Sequence, residues 1–254
     1  MSAGDRARVA VVIPALNEER AIRAVVEAVL AECPDVIVVD DGSSDRTLAC
    51  LEGLPLTLIR HPRPLGKGQA LRDGFRKARE LGFDAVISMD GDGQHQAADI
   101  PRLLAAARAY PQHIVIGARI RNRHNQPAAR RRANAVADWG ISWGCGIPVA
   151  DTQSGQRYYP QAALELALAA TGVNDFVFEA ALLIAATREA GLGVVSVPID
   201  SRYHGEFRGS HFRPVRDVTR ITWYTIRRVV HYGHVIDSYR RSHAAPPLVF
   251  DPPA

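Results

Sequence analysis

Nowhere do the 254 residues hold an uncharged apolar run near the roughly 18 residues that a membrane-spanning helix needs, so no such helix is expected. Cysteine is scarce: Cys33, Cys50 and Cys145 are unevenly spaced and lack histidines at zinc-site spacing. That sets aside a disulfide framework and a structural zinc, and points to the cytoplasm as the compartment. The first residues carry charge at Asp5, Arg6 and Arg8 and only a short apolar run, which reads as entry into a strand and not as a signal peptide. There is no internal repeat, no low-complexity tract and no long block of one charge. The net charge of +4 suits a chain that handles phosphates or touches an anionic membrane, and does not by itself indicate nucleic acid.

What is present is a strand–helix alternation. Short β-rich runs lie at Val9–Ile13, Val36–Val39, Leu56–Ile59, Ala85–Met89 and His113–Ile116, with Val194–Val197 further on. Segments of helical period fall between the first five, near Glu18–Leu30, Asp45–Leu51, Gly68–Leu81 and Ile100–Ala109. Near-continuous apolar strands alternating with helices predict an α/β fold with a parallel sheet covered on both faces. Further helices are expected near Ala133–Trp143 and from Phe178 to Gly191. One catalytic domain over residues 1–212 would be followed by a basic amphipathic helix over 213–243 and a proline-rich, disordered tail over 244–254.

Polar residues and glycines cluster just after strand ends, at Pro14–Glu18, Asp40–Ser44 and Asp90–His95. Ligands of open α/β sheets bind beyond the carboxyl ends of the strands, so three acidic clusters would line one rim. Asp90 and Asp92, one residue apart on a turn, can share a single Mg²⁺ or Mn²⁺ while leaving positions open for substrate phosphates. The alternative is a solvated Asp-Gly turn. An EF-hand is excluded, because Gln94 and His95 stand where an acidic ligand and a glycine are required. Asp40 and Asp41 precede Gly42-Ser43-Ser44, where a carboxylate can accept from a base or ribose and a serine can cap the next helix. Gly66-Lys67-Gly68 fails as a phosphate loop, with His61 in place of the first glycine and Gly68 in place of Ser or Thr. The dinucleotide pattern fails as well, since Gln96 follows Gly91 and Gly93 where the third glycine should be.

These motifs, in this order, resemble family 2 glycosyltransferases, particularly the dolichol- or polyprenyl-phosphate sugar synthases. The carriers are Val12-Ile-Pro14-Ala-Leu-Asn17-Glu18, Val39-Asp-Asp41-Gly-Ser-Ser-Asp45, Gly66-Lys-Gly68-Gln-Ala70, Asp90-Gly-Asp92-Gly-Gln94-His95 and Asp151-Thr-Gln-Ser-Gly155-Gln-Arg157. The resemblance implies the GT-A fold, a nucleotide-diphosphate sugar donor (UDP- or GDP-linked), a Mg²⁺ or Mn²⁺ ion and inversion at the anomeric carbon. Pro14, Glu18 and Lys67 fall at positions near the nucleotide, and Asp41 matches the carboxylate that contacts its base or ribose. Asp90, Asp92 and Gln94 match the metal and diphosphate site, and Arg119 an arginine near the phosphates. Arg131 and Arg202 are looser matches. Histidine at position 211 replaces the lysine of the family's closing segment, where Arg208 and Arg213 are the cations available instead.

The implied acceptor is a polyprenyl phosphate or another lipid-linked group. A phosphate acceptor is already an anion and needs no general base, whereas a neutral hydroxyl would need one, for which Asp151 is the candidate. A loop-capping role for Asp151 is the other reading, and a catalytically silent nucleotide-sugar-binding subunit is the alternative outside the enzymes. From Arg213 to Val230, arginines 213, 216, 220 and 227 fall opposite Val218, Ile221, Thr225 and Val229 on a helical wheel. Such a helix can lie peripherally on the cytoplasmic face of a membrane, or pack on the catalytic domain with a solvated arginine face. Trp139 and Trp143, four residues apart, read as core packing. No nucleic-acid-binding motif accompanies the aromatic and basic residues near Trp223, and nucleic acid is not an expected partner.

Overall fold

The computed structural model describes residues 7–122, 128–169, 175, 177–200 and 214–252. The first half alternates β1 (Val9–Ala15), α1 (Ile22–Glu32), β2 (Val36–Asp40), α2 (Thr47–Cys50), β3 (Thr57–Arg60), α3 (Lys67–Glu80) and β4 (Ala85–Ser88). Then come α4 (Ile100–Ala109), β5 (His113–Ala118), α5 (Ala128–Cys145), β6 (Arg157–Tyr159) and α6 (Gln161–Ala169). The chain continues through α7 (Val177–Glu189), β7 (Gly193–Pro198), α8 (Pro214–Tyr232) and α9 (Val235–His243).

The strands form one sheet in the order β3-β2-β1-β4-β6-β5-β7. All pairings are parallel except those of β6, which runs antiparallel between β4 and β5. Alternate residues of a strand face opposite sides of a sheet, and β1 divides accordingly. Ala10 and Val12 join a core with Leu71 and Phe75 of α3, whereas Val11 and Ile13 join a second core with Val25 and Val29 of α1. Helices thus cover both faces, and the α/β expectation holds. The sequence reading lacked helix α6, the break between α8 and α9, and strand β6. That strand has three residues and begins with Arg157, a charge buried to 1 % exposure. The guanidinium donates to the carbonyls of Ser154 (2.7 Å), Thr152 (2.6 Å) and Glu179 (3.2 Å). Burial is tolerated because these donors are satisfied.

The C-terminal tail departs from expectation. Instead of being disordered, residues 248–251 run beside β7: Ser196 N–H donates to Leu248 O and Phe250 N–H to Ser196 O, each at 2.9 Å. The Phe250 ring meets Tyr110 edge-on at 5.5 Å, and the Asp251 carboxylate accepts from Arg102 (2.6 Å) and Arg121 (2.8 Å). Helix α8 packs on α5 and α7 through Ile221, Thr225 and Val229, the face the helical wheel indicated, although Val218 of that face is exposed. Trp139 is not core; it is nearly half exposed in a surface aromatic cluster with Trp143 and Tyr239.

Candidate active site

Three parallel strands deliver their carboxyl ends to one rim: β1 brings Pro14–Glu18, β2 brings Asp40–Asp45 and β4 brings Asp90–His95. The reversed direction of β6 gives the rim a fourth wall. Because Arg157 pairs with Ser88 at the end of β4, the chain leading into β6, residues 151–156, arrives at the carboxyl edge. Ser88 Oγ donates to Gly155 O at 2.7 Å, and Ser154 Oγ to Gly117 O at 2.6 Å, so this wall is sewn to both neighbouring strands.

The first two loops brace one another. Asn17 N–H donates to Ser43 Oγ, Ser44 N–H to Asn17 Oδ1 and Glu18 N–H to Thr47 Oγ1, all at 2.8 Å. Asn17 adopts a left-handed backbone (φ 56°), which asparagine tolerates better than most residues. Gly42 (φ 76°) allows the Arg63–Pro64 backbone to lie against it, where an added Cβ would come within 2.5 Å of Arg63 C.

Asp41 has a task that its motif does not announce. Its Oδ1 accepts from Leu65 N–H (2.8 Å) and faces His61 Nδ1 (2.7 Å), while Oδ2 accepts from Gly66 N–H (2.8 Å). The carboxylate therefore closes the loop 61–66 that starts α3, and a base or ribose contact would have to share or displace these donors. Asp41→Ala would strand two backbone N–H groups, at a cost of about 1–3 kcal/mol each. Urea denaturation should show that loss; intact stability with lost nucleotide binding would instead assign Asp41 to the ligand.

Asp90 lies at the centre of a half-buried charge cluster. Lys67 Nζ, from the first turn of α3, sits 2.7 Å from Asp90 Oδ1 and 2.9 Å from Glu179 Oε2 of α7. His95 Nε2 stands 3.6 Å from Asp90 Oδ2. Burial works against the Lys67 charge, but the two carboxylates outweigh it and hold the ammonium well above the usual lysine range. Burial likewise opposes the Asp90 charge, and Lys67 and His95 outweigh it, driving the carboxyl far below the usual range. Gly155 packs against this carboxylate so closely that a Cβ there would meet Asp90 Oδ2 at 2.3 Å.

Asp92 contrasts with its neighbour. Gln94 clamps it through N–H to Oδ1 (3.0 Å) and Nε2 to Oδ2 (2.6 Å). Burial and the negative charge of Asp90 nevertheless push its pKa up. Two adjoining carboxylates, one in electrostatic excess, form a donor set suited to a hard divalent cation. Among the described residues no group of three His, Cys, Asp or Glu ligands occurs. A cation on Asp90 and Asp92 would therefore draw on substrate oxygens to complete its shell. Among the described residues, Glu179 Oε1 and His95 Nδ1 are buried without a hydrogen-bond partner.

At the end of β5 the Arg119 guanidinium grips Asp151 bidentately (2.8 and 2.7 Å), and its backbone N–H adds a third bond of 2.7 Å. Burial opposes the Asp151 charge, yet Arg119 holds its carboxyl below the usual range. Asp151 has a left-handed backbone (φ 49°) and its loop is tied to α5, where Asp138 accepts from Thr152 N–H (2.7 Å) and Thr152 Oγ1 (2.8 Å).

The structure thus brings Lys67, Asp90, Asp92 and Gln94 into one cluster, places Pro14, Glu18 and Asp41 in the braced loops beside it, and joins Arg119 to Asp151. Arg131 stands on an exposed side of α5, and Arg202 and Arg208 lie outside the described residues. Glu179, His61 and Asp138 were missed as site residues. Only Glu179 left a trace, as a carboxylate in an otherwise apolar helical run.

The family model for glycosyl transferase family 2 matches residues 10–167, more than half of the chain. A UDP-N-acetylglucosamine–dolichyl-phosphate N-acetylglucosaminyltransferase of Methanococcus voltae is 30 % identical over 214 residues, covering 76 % of this chain and 84 % of that protein. The polyprenol monophosphomannose synthase of Mycolicibacterium smegmatis is 31 % identical over 204 residues, covering 76 % of each. Among solved structures, glucosyl-3-phosphoglycerate synthase from Mycobacterium tuberculosis, with Mn²⁺, UDP-glucose and phosphoglyceric acid, superposes with a TM-score of 0.66 at 21 % identity, over 89 % of this chain and 79 % of that one. The chain has the GT-A fold and belongs to glycosyltransferase family 2.

Proposed function

We propose that this glycosyltransferase moves a sugar, with inversion, from a UDP- or GDP-sugar to a polyprenyl phosphate or a similar lipid-linked phosphate. The observation that carries the acceptor class is the Arg119–Asp151 pair. The carboxylate expected to deprotonate a hydroxyl is locked in three hydrogen bonds and held ionised below its usual range, which makes it a weak base. An acceptor that is already an anion requires no such base. The relatives named for dolichyl- and polyprenyl-phosphate chemistry support the same reading.

The braced loops at Pro14–Glu18 and Asp41–Asp45 would seat the nucleotide, and Asp90 and Asp92 would hold Mg²⁺ or Mn²⁺ against its diphosphate. That ion would supply charge neutralisation for the leaving group. Lys67 fixes the Asp90 carboxylate in one orientation, Gln94 fixes Asp92, and Asp151 fixes Arg119 beside the position expected for phosphate oxygens. In this scheme the protein contributes alignment and preset charge rather than proton transfer.

Calorimetric titration with UDP and with GDP, each with and without Mn²⁺, tests the donor side. Metal-dependent binding of one nucleotide is the expected result, and binding of neither by the folded protein would remove the reading. Transfer from the matching nucleotide sugar to a polyprenyl phosphate, with no transfer to the corresponding polyprenol, is the expected acceptor result.

A further inference from the structure

Helix α9 is amphipathic in the wrong sense for a helix that faces water. It buries Ser238 (0 % exposed) and Ser242 (2 %) against the rest of the protein, and turns Ile236 outward at 65 % exposure. Helix α8 behaves similarly. Its inner face is filled by Ile221, Thr225 and Val229, yet its outer face carries Trp223 (62 %), Ile226 and Val230 (66 %), at the i, i+3, i+7 spacing of one helical stripe. Val230 and Ile236 are separated by a turn through Gly233 and His234, both with left-handed backbones, so the two helices are directly joined. Monomeric soluble proteins rarely expose contiguous apolar patches of this kind without an interaction to serve.

We propose that the outward faces of α8 and α9 dock on an anionic lipid bilayer. Charge selects this occupant. Residues 214–243 hold six arginines against two aspartates; Arg220 and Arg228 are paired with Asp175 and Glu189 from elsewhere in the chain. Arg227 on α8 and Arg240 and Arg241 on α9 are exposed on the helices that carry the apolar stripe. Apolar side chains with tryptophan among them, combined with arginine, are the makeup of helices that lie in the membrane interface. No helix among the described residues is long and apolar enough to cross a membrane.

The surface adjoins the site. Tyr239 of α9 meets Trp143 (5.5 Å between ring centres) and Trp139 (6.2 Å) of α5, and the residue next to Trp139 is Asp138, which holds Thr152 of the Asp151 loop. A bilayer against this face would keep a lipid-linked phosphate close to that loop. This consequence rests on the acceptor proposed above; the docking surface itself does not.

Co-sedimentation of the full chain with vesicles of equal parts phosphatidylglycerol and phosphatidylcholine tests it, with pure phosphatidylcholine as the comparison. The wild type should pellet with the anionic vesicles, at least about tenfold more strongly than with the neutral ones. The double variant Trp223→Asp/Ile236→Asp should lose that binding while its circular dichroism and UDP titration match the wild type. Should that variant misfold, Arg240→Gln/Arg241→Gln replaces it, with a loss of about fivefold expected per arginine. Wild type left in the supernatant, or a folded double variant that still pellets, overturns the proposal. So does a dimer, seen by sedimentation velocity, that the double variant dissolves, because the face would then belong to a second copy. Membrane binding without binding of either UDP or GDP would uphold the surface and remove the donor reading instead.

Discussion

Asp92→Ala should lower sugar transfer by about a thousandfold while leaving the fold intact. The magnitude corresponds to roughly 4 kcal/mol of transition-state stabilisation, within what a metal acting on a leaving group supplies. The fold should survive because Asp92 contributes little to holding it: its described hydrogen bonds all come from Gln94, two residues away. Burial and Asp90 raise its pKa, so its ionised form is disfavoured in the folded state and its removal should leave the melting temperature unchanged or higher. Chelation of divalent ions should bring the wild type down to the level of the variant and leave the variant where it is. Transfer that persists in Asp92→Ala would take the metal away from this turn.

Lys67→Met should have the opposite signature, a large loss of stability. Lys67 is a largely buried cation between Asp90 and Glu179, and deleting it leaves the two carboxylates facing each other with only His95 beside Asp90. Breaking a buried ion pair from one side costs about 3–5 kcal/mol. For a chain of this size that is a fall in melting temperature on the order of 10 °C. The double variant Lys67→Met/Glu179→Gln should recover part of the loss, since one stranded charge is gone. Denaturation curves of the single and double variants decide the matter. A Lys67→Met protein as stable as the wild type would mean that the ammonium is not what balances the cluster.

Sequence pattern carried the scaffold well wherever burial followed period. Helix α4 has the bounds its pattern suggested, and β1, β2 and β5 extend theirs by only one or two residues. The pattern failed where polar groups are buried. Strand β6 opens on an arginine satisfied by three carbonyls, and α9 hides serines, so both run against hydrophobic periodicity. In the site, the acidic motifs located the rim because they follow strand ends directly. What each carboxylate does there depends on partners distant in the chain. Asp41 is tied to residues 61–66, Asp90 to Lys67 and Glu179, and Asp151 to Arg119, separations that no local pattern encodes.

The short stretch that lies along β7 has a consequence for how the protein behaves in concentrated solution. Strand β7 borders the sheet, and on its outer side the backbone of Ser196 is met by Leu248 and Phe250. An uncovered border strand invites pairing with the same strand of another molecule, and the apolar run of β7 would make such pairing adhesive. Residues 248–251 therefore act as a built-in selvedge, and the two arginines that grip Asp251 keep it from fraying. A chain cut short before Leu248 should keep its catalytic rim and associate through β7, which sedimentation velocity beside the full chain would show.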